Sequence, residues 1–338
     1  MNSNKTPWEA VNGVLLLDKP RGLTSQQALF RVRRVLRAAK AGHGGTLDPL
    51  ADGLLMLCFG AATKFAQRHL EADKRYTAVL QLGVRTTTDD AEGEVVTAQQ
   101  PVQVERSQVD AVLPRFIGTI LQTPPIYSAL KREGKPLYAY ARAGEVVEIA
   151  PRSVQIFSIE VLALQDGRLT LDVHCGKGTY IRALARDIGD ALGCGAHLAA
   201  LTRTASGGFA LSQALGLEVA EAMGKSALCD RLLPPDALLQ ALPRQTLDAV
   251  QAQRFLHGGR LSGLPVPAQA DRGEDVRVYG PLAEGQSAVL LGLGAWDGNV
   301  LAPRRLLCAD ELSTSVVPQA RPPISQLRTQ LIHQDATP

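Results

Sequence analysis

Apolar and polar residues alternate along this chain in two distinct rhythms. GVLLLDKP (13–20) is a continuous apolar run closed by Lys-Pro, the pattern of a buried strand that leads into a loop. Thr24 or Ser25 can then cap a helix, with Ala28, Leu29, Val32, Val35, Leu36 and Ala39 at helical spacing. Arg33, Arg34, Arg37 and Lys40 fall mainly on other faces, so a basic amphipathic helix is expected over 26–40. GLLMLCFG (53–60) reads as a second buried strand, ATKFAQRHLEA as a helix, and YTAVLQLGV (76–84) as a strand. The polar stretch TTTDDAEGEVV (86–96) reads as a turn between strands whose acids are solvated.

Residues 105–117 have helical character, and GTILQTPPIYSALKREGKPLY is loop-rich around a Pro-Pro break. PRSVQIFSIEVLAL and RLTLDVHCG are strands split by a turn at Gln165, Asp166 and Gly167. KGTY opens IRALARDIGDALG, where Ile181, Leu184, Ala185, Ile188 and Leu192 share one helical face and Gly193 follows the end. The Pro-rich LLPPDALLQALP (232–243) suggests a boundary between one unit at 11–235 and a smaller β-rich one at 240–310, with strands VRVYG and AVLLGLG. Residues 311–338 are polar and aperiodic and read as a disordered tail.

Composition narrows the classes. At 4% aromatic residues, broad stacking platforms for single-stranded RNA are not expected. The five cysteines contain no C-x-x-C pair, which argues against zinc and disulfides and suits a reducing cytoplasm. The N-terminus lacks the pattern of a signal peptide, and no apolar run is long enough for a membrane span. The total charge is +3, yet residues 18–75 carry eleven Lys/Arg against five Asp/Glu. A basic region inside a nearly neutral chain suggests a surface for a polyanion.

The chemistry centres on GHGGTLDPLADG (42–53). Its glycines permit close backbone approach to a ligand, but the Lys-Ser/Thr pair of a phosphate cradle is missing. Asp48 before Pro49 is either a turn cap or a reactive carboxylate suited to a nucleophile, a base or a partner for a sugar cation. His43 has no second ligand at metal spacing. Tyr76 follows Lys74-Arg75 at a strand start. Arg182 sits at a helix start, where the dipole disfavours a cation, so it is a candidate to pair a carboxylate.

In combination and order, LLLDKPRGLTS, GHGGTLDPLADG, DKRYTAVLQLGVRTTTDDAEG, TPPIYSALKREGKPLYAYARAG, KGTYIRALARDIG and AHLAALTRTASGGF resemble the TruB family of tRNA pseudouridine synthases, over roughly residues 11–210. GLGAWDGNVLAPRRLL resembles the PUA RNA-binding domain that follows in that family. The resemblance implies an α+β fold: a catalytic unit around a central mixed, largely antiparallel sheet, plus a small PUA-like β-barrel. It implies isomerisation of uridine 55 in the tRNA T-loop, with Asp48 as nucleophile and Arg182 as its ion-pair partner. Tyr76 would stack on the base and is a candidate for the final proton removal. Tyr180 and Leu201 would line the uridine pocket, and His43 would fill the space left by the flipped nucleotide. No metal, cofactor or obligate protein partner is implied, and a monomer is expected. The acids at 89–94 would face away from RNA, and Lys19 is not expected to be catalytic. The competing readings are a non-catalytic RNA-binding factor, a synthase within a guide-RNA ribonucleoprotein, and a glycosidase. The last needs a second positioned carboxyl that the sequence does not identify.

Overall fold

The computed structural model describes residues 7–97, 102–128, 130–132, 134–143, 145, 147–267 and 273–312. The first apolar run becomes β1 (Gly13–Lys19), paired antiparallel with β3 (Ala51–Phe59). Both are apolar on successive residues because both faces of their sheet are covered. Leu15, Leu17, Leu55, Leu57 and Phe59 point into one core, while Val14, Leu16, Leu54, Met56 and Cys58 point into a second core on the opposite face.

The strands that extend this sheet are β2 (Ala41–His43), β4 (Lys74–Leu82), β5 (Gly118–Gln122), β6 (Arg152–Gln165), β7 (Arg168–Cys175), β8 (Ala196–Ser206) and β9 (Leu215–Gly216). The main path of the ten-stranded sheet runs β9-β1-β3-β8-β4-β7-β6-β5. Only the β9/β1 and β3/β8 contacts on that path are parallel, so the sheet is mixed and largely antiparallel, as expected. The parallel β3/β8 junction matters most, because it brings the chain after Asp48 beside Leu201–Arg203.

Helix α1 (Ser25–Leu36) is capped by Thr24, whose hydroxyl accepts from Gln27 N at 3.1 Å. It buries Ala28, Leu29, Val32 and Leu36. It stops short of the expected 40, because Arg37 turns left-handed at φ 53° and sends its N–H back to the carbonyls of Arg33 and Arg34. Ala39 is consequently exposed. The basic side chains of this region are largely occupied within the chain. Arg31 pairs with Glu221, Arg33 Nε donates to Ala38 O at 2.8 Å, and Arg37 donates to Pro7 O at 2.6 Å.

Three further expectations change. ATKFAQRHLEA splits into a 3₁₀ turn (Gly60–Lys64) and a short α2 (Ala66–Leu70). The loop-rich 118–122 segment is β5, the edge strand of the sheet. Ordered structure continues past 310, since Ala309–Leu312 form a helical turn with Leu312 buried and Glu311 paired to Lys64. The rest of the expected tail, 313–338, lies outside the described residues.

The C-terminal unit is a five-stranded sheet of β10 (Arg244–Thr246), β11 (Leu261–Ser262), β12 (Asp275–Gly280), β13 (Val289–Asp297) and β14 (Val300–Leu306), in the order β10-β12-β13-β14-β11. One helix, α4 (Ala249–Leu256), touches strands near both ends of that order, so the sheet curls around it. Its core also takes in Ala61, Phe65 and Leu239, and Arg68 pairs with Asp275 at 2.5 Å.

Gly53 occupies the β3/β8 junction at φ +95°, and a Cβ there would stand 2.5 Å from Arg203 O. Gly53→Ala therefore adds both a left-handed backbone penalty and a main-chain clash, together on the order of 1–3 kcal/mol or more. A lowered thermal unfolding midpoint is expected, and an unchanged midpoint would contradict this packing.

Candidate active site

The G-T-L-D loop is clamped from below. Ser25, the first residue of α1, is buried, and its hydroxyl donates to Leu47 O at 3.0 Å while accepting from Leu47 N at 2.8 Å. Leu47 enters the main core, and Pro49 O accepts from Gly22 N at 2.8 Å. With both neighbours fixed, Asp48 has little freedom beyond its own rotamer. The loop glycines serve packing against protein. A Cβ on Gly44 would meet His69 Cδ2 at 3.3 Å, and Gly45, at φ +110°, lies close to the Arg203 guanidinium.

Asp48 faces a cavity of about 550 Å³. Its side chain is 44% exposed and accepts an ion pair from Arg182 Nη2 at 3.0 Å. Arg182 is the second residue of α3 (Ile181–Ala191) and its side chain is 8% exposed. The start of that helix is fixed by Gln122 at the end of β5. Gln122 accepts from Tyr180 N at 2.8 Å and donates to Tyr180 O at 3.1 Å. The Arg182 guanidinium also donates to Tyr127 O at 2.8 Å and Thr88 O at 3.3 Å, and pairs with Asp90 at 3.4 Å. A cation that would be poorly placed at a helix start is thus held by two carboxylates and two carbonyls.

Asp89 and Asp90 depart from the expectation that the acids at 86–96 are solvated, which holds for Glu92 and Glu94. Asp90 departs furthest. Its side chain is only 4% exposed. Thr88 Oγ1 donates to its carboxylate at 2.5 Å and Glu92 N at 3.0 Å. Neighbouring Asp89 accepts from Arg186 Nη1 at 2.8 Å. Arg182 and Arg186 stand four residues apart on one face of α3, so the Asp-Asp turn docks onto the pair. Asp89 takes φ +60° to do so, a conformation that Asp tolerates better than most residues. Two arginines four residues apart, beside the apolar face of this helix, were the signal in the sequence, and they required acids from somewhere. Asp52, by contrast, pairs with Arg21 at 2.8 Å.

Burial pushes the Asp48 carboxyl above its ordinary value and the Asp90 charge adds to this, while Arg182 and Lys19 pull it down. Lys19 acts at a distance, since its fully buried Nζ donates to Pro20 O at 2.9 Å and Leu23 O at 2.7 Å. It staples the turn after β1.

Tyr76, Tyr180 and Leu201 line the same cavity as Asp48 and Arg182. Tyr76 on β4 lies directly across from Arg203 on β8. Arg203 is 1% exposed. Its Nε donates to Leu54 O at 2.6 Å, and its guanidinium also reaches Gly45 O at 3.4 Å. Burial raises the Tyr76 phenol above its ordinary value, and Arg203 opposes this by favouring the phenolate. Arg203 lies in the LTRTASGGF motif, and its charge gave no hint that it would be buried. His43 does not line the cavity. It ends β2, with Nδ1 buried and unpartnered, and burial and then Arg203 keep its imidazole below its ordinary value and so neutral. Among the described residues, no group of His, Cys, Asp and Glu could hold a metal ion.

Three family models match in succession: TruB family pseudouridylate synthase (N terminal domain) over 33–181, tRNA pseudouridylate synthase B C-terminal domain over 182–240, and Pseudouridine synthase II TruB, C-terminal, over 243–307. The chain belongs to the TruB family. It is 54% identical over 310 residues to tRNA pseudouridine synthase B of Ralstonia pickettii (strain 12J), covering 90% of this chain and 96% of that protein. It is 52% identical over 305 residues to the protein of the same name from Burkholderia lata, covering 90% and 92%. Among solved structures, a Cbf5-Nop10-Gar1 complex matches with TM-score 0.67 and 26% identity, covering 90% of this chain and 87% of that one.

Asp90 reaches the site through its pair with Arg182 and through its charge on Asp48, which makes it a positioning residue. Asp90→Asn keeps the volume and removes the second carboxylate. Turnover on tRNA is expected to fall roughly a hundredfold, the scale of a small misplacement of reacting groups, with KM little changed. Wild-type kcat in this variant would sever Asp90 from the chemistry.

Proposed function

We propose that this TruB-family chain isomerises uridine to pseudouridine at position 55 in the T-loop of tRNA, with Asp48 as the nucleophile. The observation that carries the reading is the 3.0 Å Arg182–Asp48 pair in a cavity walled by Tyr76, Tyr180 and Leu201. The names of the curated relatives support tRNA as the substrate class.

The reaction breaks the uridine N1–C1′ bond and forms a C5–C1′ bond. C5 gives up its hydrogen and N1 gains one, so the atoms are only rearranged. A carboxylate is acceptor-only when ionised, and the guanidinium beside it favours that form. Asp48 can therefore attack or stabilise an electron-poor centre as the base departs. Chemistry at C1′ of a nucleotide embedded in RNA takes that nucleotide out of its stack, at a cost of a few kcal/mol, and the 550 Å³ cavity beside Asp48 is the place for it to enter. Tyr76 and Tyr180 offer apolar faces to the uracil. Tyr76 is also placed for the last proton transfer, with Arg203 lowering the cost of a transient phenolate.

The catalytic unit spans 11–235, and the curled sheet at 240–310 acts as a PUA-like RNA grip that adds affinity through phosphates and shape. His43, beside the cavity and outside it, takes the place of the extruded nucleotide. The chain works as a monomer, without an obligate protein partner, in the cytoplasm. Among the described residues, no helix is long and apolar enough to cross a membrane.

Tritium at uracil C5 reports the reaction, because bond formation expels it. Wild type should release tritium from a labelled tRNA transcript. Asp48→Asn should bind the same RNA with no release above background. Binding without release by wild type would overturn the catalytic reading in favour of a non-catalytic RNA-binding factor.

A further inference from the structure

Beside the site lies a buried cation that the chemistry at Asp48 does not use. Lys74 opens β4 two residues before Tyr76, so both side chains share one face of the sheet. It is 9% exposed. Its Nζ donates to Leu70 O at 2.7 Å and to Ala72 O. An ammonium has three donors, so one remains.

No carboxylate among the described residues lies within the 4.0 Å ion-pair distance of Lys74. The nearby acids turn elsewhere: Asp73 towards His174 at 3.9 Å, and Glu71 to Lys177. A buried charge without a counter-ion is costly. Burial and then Arg203 pull this amine down to about 8, against the opposing influence of Cys175, Asp73 and Glu71. His69, on α2, feels the same charge. At neutral pH the group is still mostly protonated.

Lys74 also occupies a junction. It lines the 550 Å³ cavity that holds Asp48, and it lines a second depression of about 650 Å³ bounded on its far side by residues 237–242. The other strong cations of that groove are already matched, Arg68 with Asp275 and Arg75 with Asp172. A cation with a spare donor, in the wall common to a nucleotide-sized cavity and an open groove, fits an anion that passes between the two.

We propose that Lys74 binds the RNA phosphate adjacent to the flipped uridine, and that the groove between the two units carries the strand leaving the cavity. This rests on the RNA substrate of the preceding section. Lys74 is a substrate-positioning residue and takes no part in bond making.

The test uses the full-length enzyme and synthetic T-arm stem-loops, each with one neutral methylphosphonate in place of a phosphate flanking the target uridine. On unmodified RNA, Lys74→Met should raise KM about tenfold, the scale of one charge-assisted hydrogen bond, with kcat within about threefold. Its log–log salt slope should fall by about one. At one methylphosphonate position the mutant and wild type should become equal, because the lost partner is already missing. Thermal unfolding checks the fold, and Lys74→Gln carries the same comparison if the Met variant unfolds early. An unchanged KM, or an equal loss on every methylphosphonate RNA, would overturn the phosphate contact. Either result would leave wild-type tritium release intact, so it would not be confused with failure of the isomerase reading.

Discussion

One guanidinium holds the site together. Arg182 reaches Asp48 and Asp90 with its two terminal nitrogens and spends further donors on the carbonyls of Thr88 and Tyr127. Those partners come from the loop before β3, the Asp-Asp turn after β4 and the loop after β5. Three segments far apart in sequence therefore meet on one planar fork. A lysine could neutralise charge there but could not span that geometry. Pairing with a buried arginine also answers the electrostatic problem of Asp48, whose ionised form burial disfavours.

The rest of the charge distribution follows a similar logic of internal use. Arg203 is buried under the G-T-L-D loop and couples three features at once. It bonds the Leu54 carbonyl, its charge favours the Tyr76 phenolate, and it lowers the basicity of His43. Most of the cations on and after α1 tie the chain to itself. The basic excess over residues 18–75 is thus less a polyanion-binding surface than a set of internal clamps. RNA contact then falls to fewer groups, and Lys74, in the wall of the Asp48 cavity, is the one we propose.

Much of this was legible in the sequence, for identifiable reasons. The apolar runs at 13–20 and 53–60 had to be covered on both faces, and the two cores on either side of β1 and β3 do that. The face of α3 followed from simple periodicity. Asp48, Arg182, Tyr76, Tyr180 and Leu201 came from ordered motifs, and the structure gathers all five around one cavity. Asp90 was hidden because a polar turn rich in Asp and Thr looks solvated until its partner arginines are located. Arg203 was hidden because nothing in a strand sequence marks a cation for full burial. The early end of α1 depends on a left-handed Arg37, a choice that local propensity does not encode.

The central claim is that a shared guanidinium fork aims an ionised Asp48. It is tested most directly by single-turnover tritium release from C5-labelled tRNA with Arg182→Lys, alongside RNA affinity and thermal unfolding of the same variant. The account predicts a folded protein with RNA affinity within about threefold of wild type and a rate constant lower by at least about a hundredfold. A near-normal rate constant in that variant would contradict it, since a point charge would then serve as well as the fork.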